Sequence, residues 1–115
     1  MQIYIAMWSG PRNISTALMR SFENRPDSFV SDEPFYAYYL KQTKINHPLK
    51  KEIIKNNATD FNIIVQYLNG KIPKSKNIWY QKHMAHHILP GVNMNWIKNM
   101  KNCLLIRHPS DVILS

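Results

Sequence analysis

One junction near the N-terminus narrows the fold more than any other feature. Residues 2–8 form a short apolar run, Gln2-Ile3-Tyr4-Ile5-Ala6-Met7-Trp8, with the signature of a buried strand. Ser9-Gly10-Pro11-Arg12-Asn13 follows at once, and this is turn chemistry. Ser15 or Thr16 then opens a helix. Its apolar positions are Ala17, Leu18, Met19 and Phe22, and Arg25-Pro26-Asp27 stops it. Strand, tight loop and helix in that order are the beginning of an α/β unit.

The rest of the chain continues the alternation. Residues 28–32 read as a second short strand, and Phe35 to Gln42 as an aromatic helix. Apolar spacing predicts helices over 48–56 and 59–68, the second carrying Phe61, Ile64, Val65 and Leu68 and stopped by Asn69-Gly70. Lys71 to Lys76 is a basic link. Ile78-Trp79-Tyr80-Gln81 reads as a strand feeding Lys82-His83. Gly91 breaks the chain before an amphipathic turn around Trp96. Cys103-Leu104-Leu105-Ile106 is expected as another buried strand, running into Arg107-His108-Pro109, where Pro109 and Asp111 suit the first turn of a helix. The expectation is a three-layer α/β fold, a parallel sheet flanked by helices, in a single domain over residues 1–115. Stopping one turn into a helix, the chain reads as the N-terminal portion of a larger fold.

Composition sets outer limits. With 44% hydrophobic residues the chain can build a core. No run approaches the roughly 18 apolar residues of a membrane span. No basic leader or cleavage site follows Met1, and Cys103 is the single cysteine. A cytoplasmic setting is the expectation. Fifteen Lys and Arg against seven Asp and Glu give a net charge of +8. Residues 1–40 carry three basic and four acidic side chains, residues 41–115 twelve and three. A basic surface attracts phosphate, sulfate, nucleic acid and anionic lipid alike, so charge alone names no partner.

Two strand-to-helix junctions are candidate anion sites. In the first, Gly10 to Thr16, a turn and a helix start present free N–H groups and partial positive charge. Arg12 can fork onto an oxyanion, and Ser15 and Thr16 add hydroxyls. The plain alternative is a turn shaped by Pro11, a capping Ser15 and a solvated Arg12. The loop is not a Walker A sequence. Counting from Gly10, Ser15 stands where the second glycine belongs and Thr16 where the lysine belongs. The second junction is Ile106 to Ser115, where Arg107 and Ser115 can converge on a separate anion. Its alternative is an Arg107–Asp111 ion pair.

Together these residues resemble the sulfotransferases that use 3′-phosphoadenosine 5′-phosphosulfate. The phosphosulfate loop of that family follows the first strand and runs Pro, Lys or Arg, Ser, Gly, Ser or Thr, Thr. Here it reads Pro11-Arg12-Asn13-Ile14-Ser15-Thr16. The family's 3′-phosphate motif is an Arg ending a strand, an Asp four residues on and a Ser eight residues on, which Arg107, Asp111 and Ser115 match. The resemblance is carried by the two ends of the chain. Asn13-Ile14 departs from the usual Ser-Gly, and the later Gly- and Lys-containing segment that completes the adenine pocket has no counterpart within residues 1–115. The resemblance implies a P-loop-like sulfotransferase fold and the phosphosulfate donor, with adenosine 3′,5′-bisphosphate as product. It implies Gly10, Pro11, Arg12, Asn13, Ile14, Ser15, Thr16, Arg107 and Ser115 as the donor site, no metal, and a small-molecule or carbohydrate acceptor carrying a hydroxyl or amine.

Sulfuryl transfer also needs a base for the acceptor's proton. Many sulfotransferases are similar to Lys-x-His after a strand, the lysine touching the sulfuryl oxygen. Lys82 matches, but Met84 stands at the histidine's place. His83 and His87 are the imidazole candidates, and i, i+4 spacing would put both on one helix face. Three histidines in residues 83–87 also raise zinc, but no glutamate makes an H-E-x-x-H pattern. Glu33, in Ser31-Asp32-Glu33-Pro34-Phe35, resembles the carboxylate of some carbohydrate sulfotransferases. Its alternative is an ordinary helix-start carboxylate. Phe35, Tyr36, Tyr38 and Tyr39 are expected to split between core and surface. Two rivals stand beside this reading. One is a P-loop phosphotransferase with an altered loop, which would need magnesium and a triphosphate. The other is a basic nucleic-acid-binding module using Trp79, Tyr80 and Trp96 for stacking. No nucleic-acid-binding motif is visible, so nucleic acid is not the expected partner.

Overall fold

The computed structural model describes residues 2–10, 15–43 and 45–105. Its strands are β1 (Ile3–Ser9), β2 (Ser28–Asp32), β3 (Ile78–Met84) and β4 (Lys101–Leu105). Its helices are α1 (Ser15–Glu23), α2 (Tyr36–Gln42), α3 (Lys50–Asn56) and α4 (Phe61–Leu68). Short 3-10 turns occupy Pro73–Ser75, Ala85–His87 and Asn95–Asn99. The strands form one parallel sheet in the order β2-β3-β1-β4. Parallel neighbours cannot be joined by hairpins, so every connection crosses over the sheet. The expected α/β architecture, a parallel sheet flanked by helices, is the observed one.

Side-chain alternation along the strands divides the molecule into two faces. On one, Ala6 and Trp79 join Phe35, Tyr38, Ile64, Leu68 and Trp96 in the main core. Trp79 and Leu68 are fully buried there. Two polar tips on this face are satisfied: Trp79 Nε1 donates to Ser31 Oγ at 2.9 Å, and Tyr4 Oη to the Gly70 carbonyl at 2.6 Å. The cap of α4 explains its start, because Asp60 Oδ1 accepts from the Ile63 N–H at 3.1 Å. The other face takes α1, whose Phe22 ring stacks on Tyr80 at 4.3 Å.

Two expectations change. The third strand runs on to Met84, so Lys82 and His83 lie within it and point to opposite faces. His87 follows in a 3-10 turn, and the expected shared helix face with His83 does not form. The reason is pairing: Met7, Trp8 and Ser9 of β1 oppose Lys82, His83 and Met84, and the ladder holds the segment extended. The second change is β4. Among the described residues it is an edge strand paired to β1 alone and touched by the 3-10 turn at Asn95–Asn99, and Cys103 is exposed and not buried. Leu104 beside it is 66% exposed.

Candidate active site

In a parallel sheet all strands leave by the same edge, and open α/β sheets place their sites there. Ser9 is level with Met84 on one side and Leu105 on the other, so β1, β3 and β4 end together. Asp32, the last residue of β2, pairs with Lys82. Four strand exits therefore crowd one edge, and α1 begins beside them.

Lys82 is the centre of the arrangement. Its side chain is only 6% exposed. The ammonium donates to Thr16 Oγ1 at 3.0 Å and to Glu33 Oε2 at 3.2 Å, with Asp32 Oδ1 at 3.5 Å. A buried cation is tolerated only when paired and hydrogen-bonded, and here a hydroxyl and the Glu33 carboxylate accept from it while the Asp32 carboxylate adds a longer ion pair. Thr16 sits in the first turn of α1, so the helix's partial positive charge and the ammonium reinforce each other.

Glu33 reaches this cluster through an unusual backbone. Its φ is +48°, a left-handed conformation that costs a non-glycine residue about 1 kcal/mol, and the following Pro34 restricts it further. Two hydrogen bonds hold it there: its N–H donates to the Lys82 carbonyl at 2.9 Å, and its carbonyl accepts from Tyr36 N–H at 3.1 Å. The bend turns the carboxylate from the strand end toward Lys82 and His87.

His87 is 2% exposed, with Tyr36 and Tyr39 rings at 5.2 and 4.9 Å. Burial, then the neighbouring His86 and Lys82 charges, push its pKa down to about 4, so it is neutral at pH 7. Its Nε2 lies 3.9 Å from Glu33 Oε1, and its Nδ1 has no hydrogen-bond partner. A cavity of about 560 Å³ opens beside these groups, lined by Asp32, Glu33, Tyr36, Ile53, Asn57 and His87 among others.

The comparisons with known proteins fit this geometry. The sulfotransferase-domain family model matches residues 1–115. The chain belongs to the sulfotransferase domain family. It is also similar to two proteins of Arabidopsis thaliana, branched-chain-amino-acid aminotransferase-like proteins 2 and 1. The identities are 36% and 35% over 112 residues, 96% of this chain. The chain spans 20% of the length of each of these relatives. No solved structure matches it.

In this sulfotransferase domain the structure brings Lys82, Glu33, His87 and Thr16 together. It sets His83 apart, on the core face. There His83 stacks on Trp8 at 4.7 Å, with Phe35 and Trp96 rings at 5.6 and 5.7 Å. His83 Nε2 lies 3.1 Å from Gln81 Oε1, and Gln81 Nε2 donates to the Leu68 carbonyl. Burial pushes His83 down to about 3. It is a histidine of the core, facing away from the Lys82 ammonium. Ser15 is buried at the head of α1 and Gly10 ends the loop's described part. Pro11, Arg12, Asn13, Ile14, Arg107, Asp111 and Ser115 lie outside the described residues. Among the described residues no group of three His, Cys, Asp or Glu side chains could hold a metal ion. Phe35 and Tyr38 are core, while Tyr36 and Tyr39 are half-buried against His87 and are not the surface half expected of that aromatic stretch.

Sequence reading missed Asp32 as a member of the site, and Ile53 and Asn57 as cavity walls. Two adjacent carboxylates at a strand exit were a usable signal for the first. Nothing in residues 44–57 announces the second.

Proposed function

We propose that this domain transfers a sulfuryl group from 3′-phosphoadenosine 5′-phosphosulfate to a hydroxyl or amine acceptor. The observation that carries the reading is the buried Lys82 ammonium, held by Thr16 at the head of α1 and by Glu33 at the cavity wall. A cation with three donors beside a helix N-terminus suits an oxyanion, so the residues present fit the donor. When bound, the phosphosulfate supplies an activated sulfuryl group. Thr16 Oγ1 and Lys82 Nζ would hold its oxygens. Gly10 to Ser15, with Arg12, would hold the phosphate, and Arg107 and Ser115 the 3′-phosphate. The adjacent exits of β1 and β4 support a shared cleft for the two loops.

Glu33 is the base in this reading. Its Oε2 is engaged by Lys82, while Oε1 is left facing His87 across 3.9 Å. That gap is too long for a hydrogen bond, yet one oxygen atom placed about 2.8 Å from each would bridge it. The acceptor hydroxyl fits there, oriented by neutral His87 and deprotonated by Glu33. His87 at about 4 is a weaker base than an ordinary imidazole, which favours the orienting role for it. The small-molecule acceptor, and not nucleic acid or a membrane, is the partner the cavity suits. Among the described residues no helix is long and apolar enough to cross a membrane.

The test is a pair of calorimetric titrations. Adenosine 3′,5′-bisphosphate should bind in the presence of a chelator, and a nucleoside triphosphate should show no magnesium-dependent binding. The reverse pattern would assign the fold to a phosphotransferase.

A further inference from the structure

The cavity beside Glu33 does not stop at its own walls. Pro34 and Asn57 line it, and both also line a second hollow of about 350 Å³. The other described walls of that hollow are Ala58, Ile63, Ile64 and Tyr67, so its described lining is apolar or aromatic apart from Asn57. The outward side of α4 supplies most of it. A surface helix ordinarily keeps one apolar stripe, for the core. In α4 the stripe of Ile64 and Leu68 is buried, as that rule requires, yet Ile63 and Tyr67 form another, one turn apart, at 59% and 51% exposure. The Tyr67 ring stands edge-on to the buried Trp79 at 5.0 Å, which braces it as a wall. Pro34 follows the left-handed bend at Glu33 that carries the carboxylate to Lys82 and His87. One turn therefore positions both the proposed base and the wall shared by the polar cavity and the apolar groove.

We infer that the acceptor is an amphiphile, an alcohol carrying an alkyl arm, with its hydroxyl between Glu33 and His87 and its arm running past Pro34 and Asn57 onto Ile63 and Tyr67. The place of the hydroxyl rests on the sulfuryl-transfer reading, and the place of the arm on the groove and its continuity with the cavity. The step balances: the acceptor oxygen bonds to sulfur, the bond from sulfur to the phosphate oxygen breaks, Glu33 takes the hydroxyl proton, and the bisphosphate leaves with the electron pair. An acceptor polar throughout would leave Ile63 and Tyr67 in water. An alkyl arm covers them, and its own apolar surface leaves water at the same time. Another apolar hollow lies at β4, lined by Trp8, Ile88, Met94, Ile97 and Leu104 among others. It shares no described wall with the cavity and so provides an internal control.

The probes are methyl and octyl glucoside, the latter kept below its micelle concentration, compared by ligand-observed nuclear magnetic resonance on the full-length protein. They share every hydroxyl and differ only in the arm. Each fully buried methylene favours binding by about fourfold, and an open groove covers part of the arm, so octyl glucoside should bind on the order of tenfold more tightly. Ile63→Glu should cancel most of that gain and leave methyl glucoside within about twofold of its wild-type affinity. The Ile63 side chain is exposed, and it is the backbone N–H of Ile63 that donates to the Asp60 cap, so the substitution is compatible with folding. Leu104→Gln, in the hollow at β4, should change neither affinity. Equal binding of the two glucosides, no binding of octyl glucoside, a gain that survives Ile63→Glu, or a gain lost in Leu104→Gln instead overturns the inference. Adenosine 3′,5′-bisphosphate is titrated alongside. If it binds while arm length has no effect, the transfer reading stands and this one falls. If it fails to bind while the arm still tightens binding through Ile63, the transfer reading falls and the groove stands.

Discussion

Lys82 pairs with Asp32 in the β2–β3 ladder, yet its ammonium lies closer to Glu33 Oε2, at 3.2 Å against 3.5 Å for Asp32 Oδ1. The left-handed backbone of Glu33 makes this so, by bending the chain back over the strand end it has just left. Backbone strain of this kind clusters at functional sites, which supports the role proposed for Glu33.

The coupling between the two residues is therefore measurable. In a double-mutant cycle of Lys82→Met and Glu33→Gln, the interaction energy read from denaturant unfolding should reach about 1–2 kcal/mol. That exceeds the typical surface pair, because the Lys82 side chain is nearly buried. A coupling near zero would mean that the pair is incidental.

Glu33 and His87 are separable by substitution. Glu33→Gln should lower kcat by roughly 10²–10⁴-fold with donor binding kept. His87→Gln preserves hydrogen bonding and should lower it far less. The opposite ranking in a sulfuryl-transfer assay would move the base to His87.

Acid should unfold this domain early. His83 and His87 have folded values of about 3 and 4 against an ordinary 6.5, so the unfolded chain binds more protons between those limits. Stability is then full above about pH 6.5 and falls as pH drops toward 4 and 3, at roughly 1.4 kcal/mol per pH unit for each histidine. His83→Leu should flatten that slope while lowering stability at pH 7 by about 1–3 kcal/mol, since Gln81 Oε1 loses its partner. Melting temperatures measured from pH 7 to 4 would check both effects, and an unchanged slope would show that His83 is not buried as a neutral ring.

The fold was legible in the sequence wherever a short local signal sufficed. The apolar run before Ser9, the break at Arg25-Pro26-Asp27 and the spacing of Ile64 and Leu68 each place an element within a few residues of where it lies. Local signals failed where tertiary pairing decides. His83 looked like a helix partner of His87 because spacing says nothing about Trp8, which is opposite it in the next strand. Cys103-Leu104-Leu105 reads as buried by composition, but among the described residues β4 is an edge strand and shows Cys103 and Leu104 outward. Within the candidate site, Lys82 and Glu33 could each be picked out as types. Their meeting could not, because Lys82 is 49 residues from Glu33 and 66 from Thr16 along the chain. Only the parallel order β2-β3-β1 and the placing of α1 bring those three together.

The most direct test of the central claim is calorimetric titration of 3′-phosphoadenosine 5′-phosphosulfate into the wild type, Lys82→Met and Arg12→Ala. Each substitution should weaken binding by about 1.5–3 kcal/mol, and Lys82→Met should affect the bisphosphate product less than the donor, because it loses the contact to sulfur-bound oxygen. Unchanged donor affinity in both variants would contradict the account.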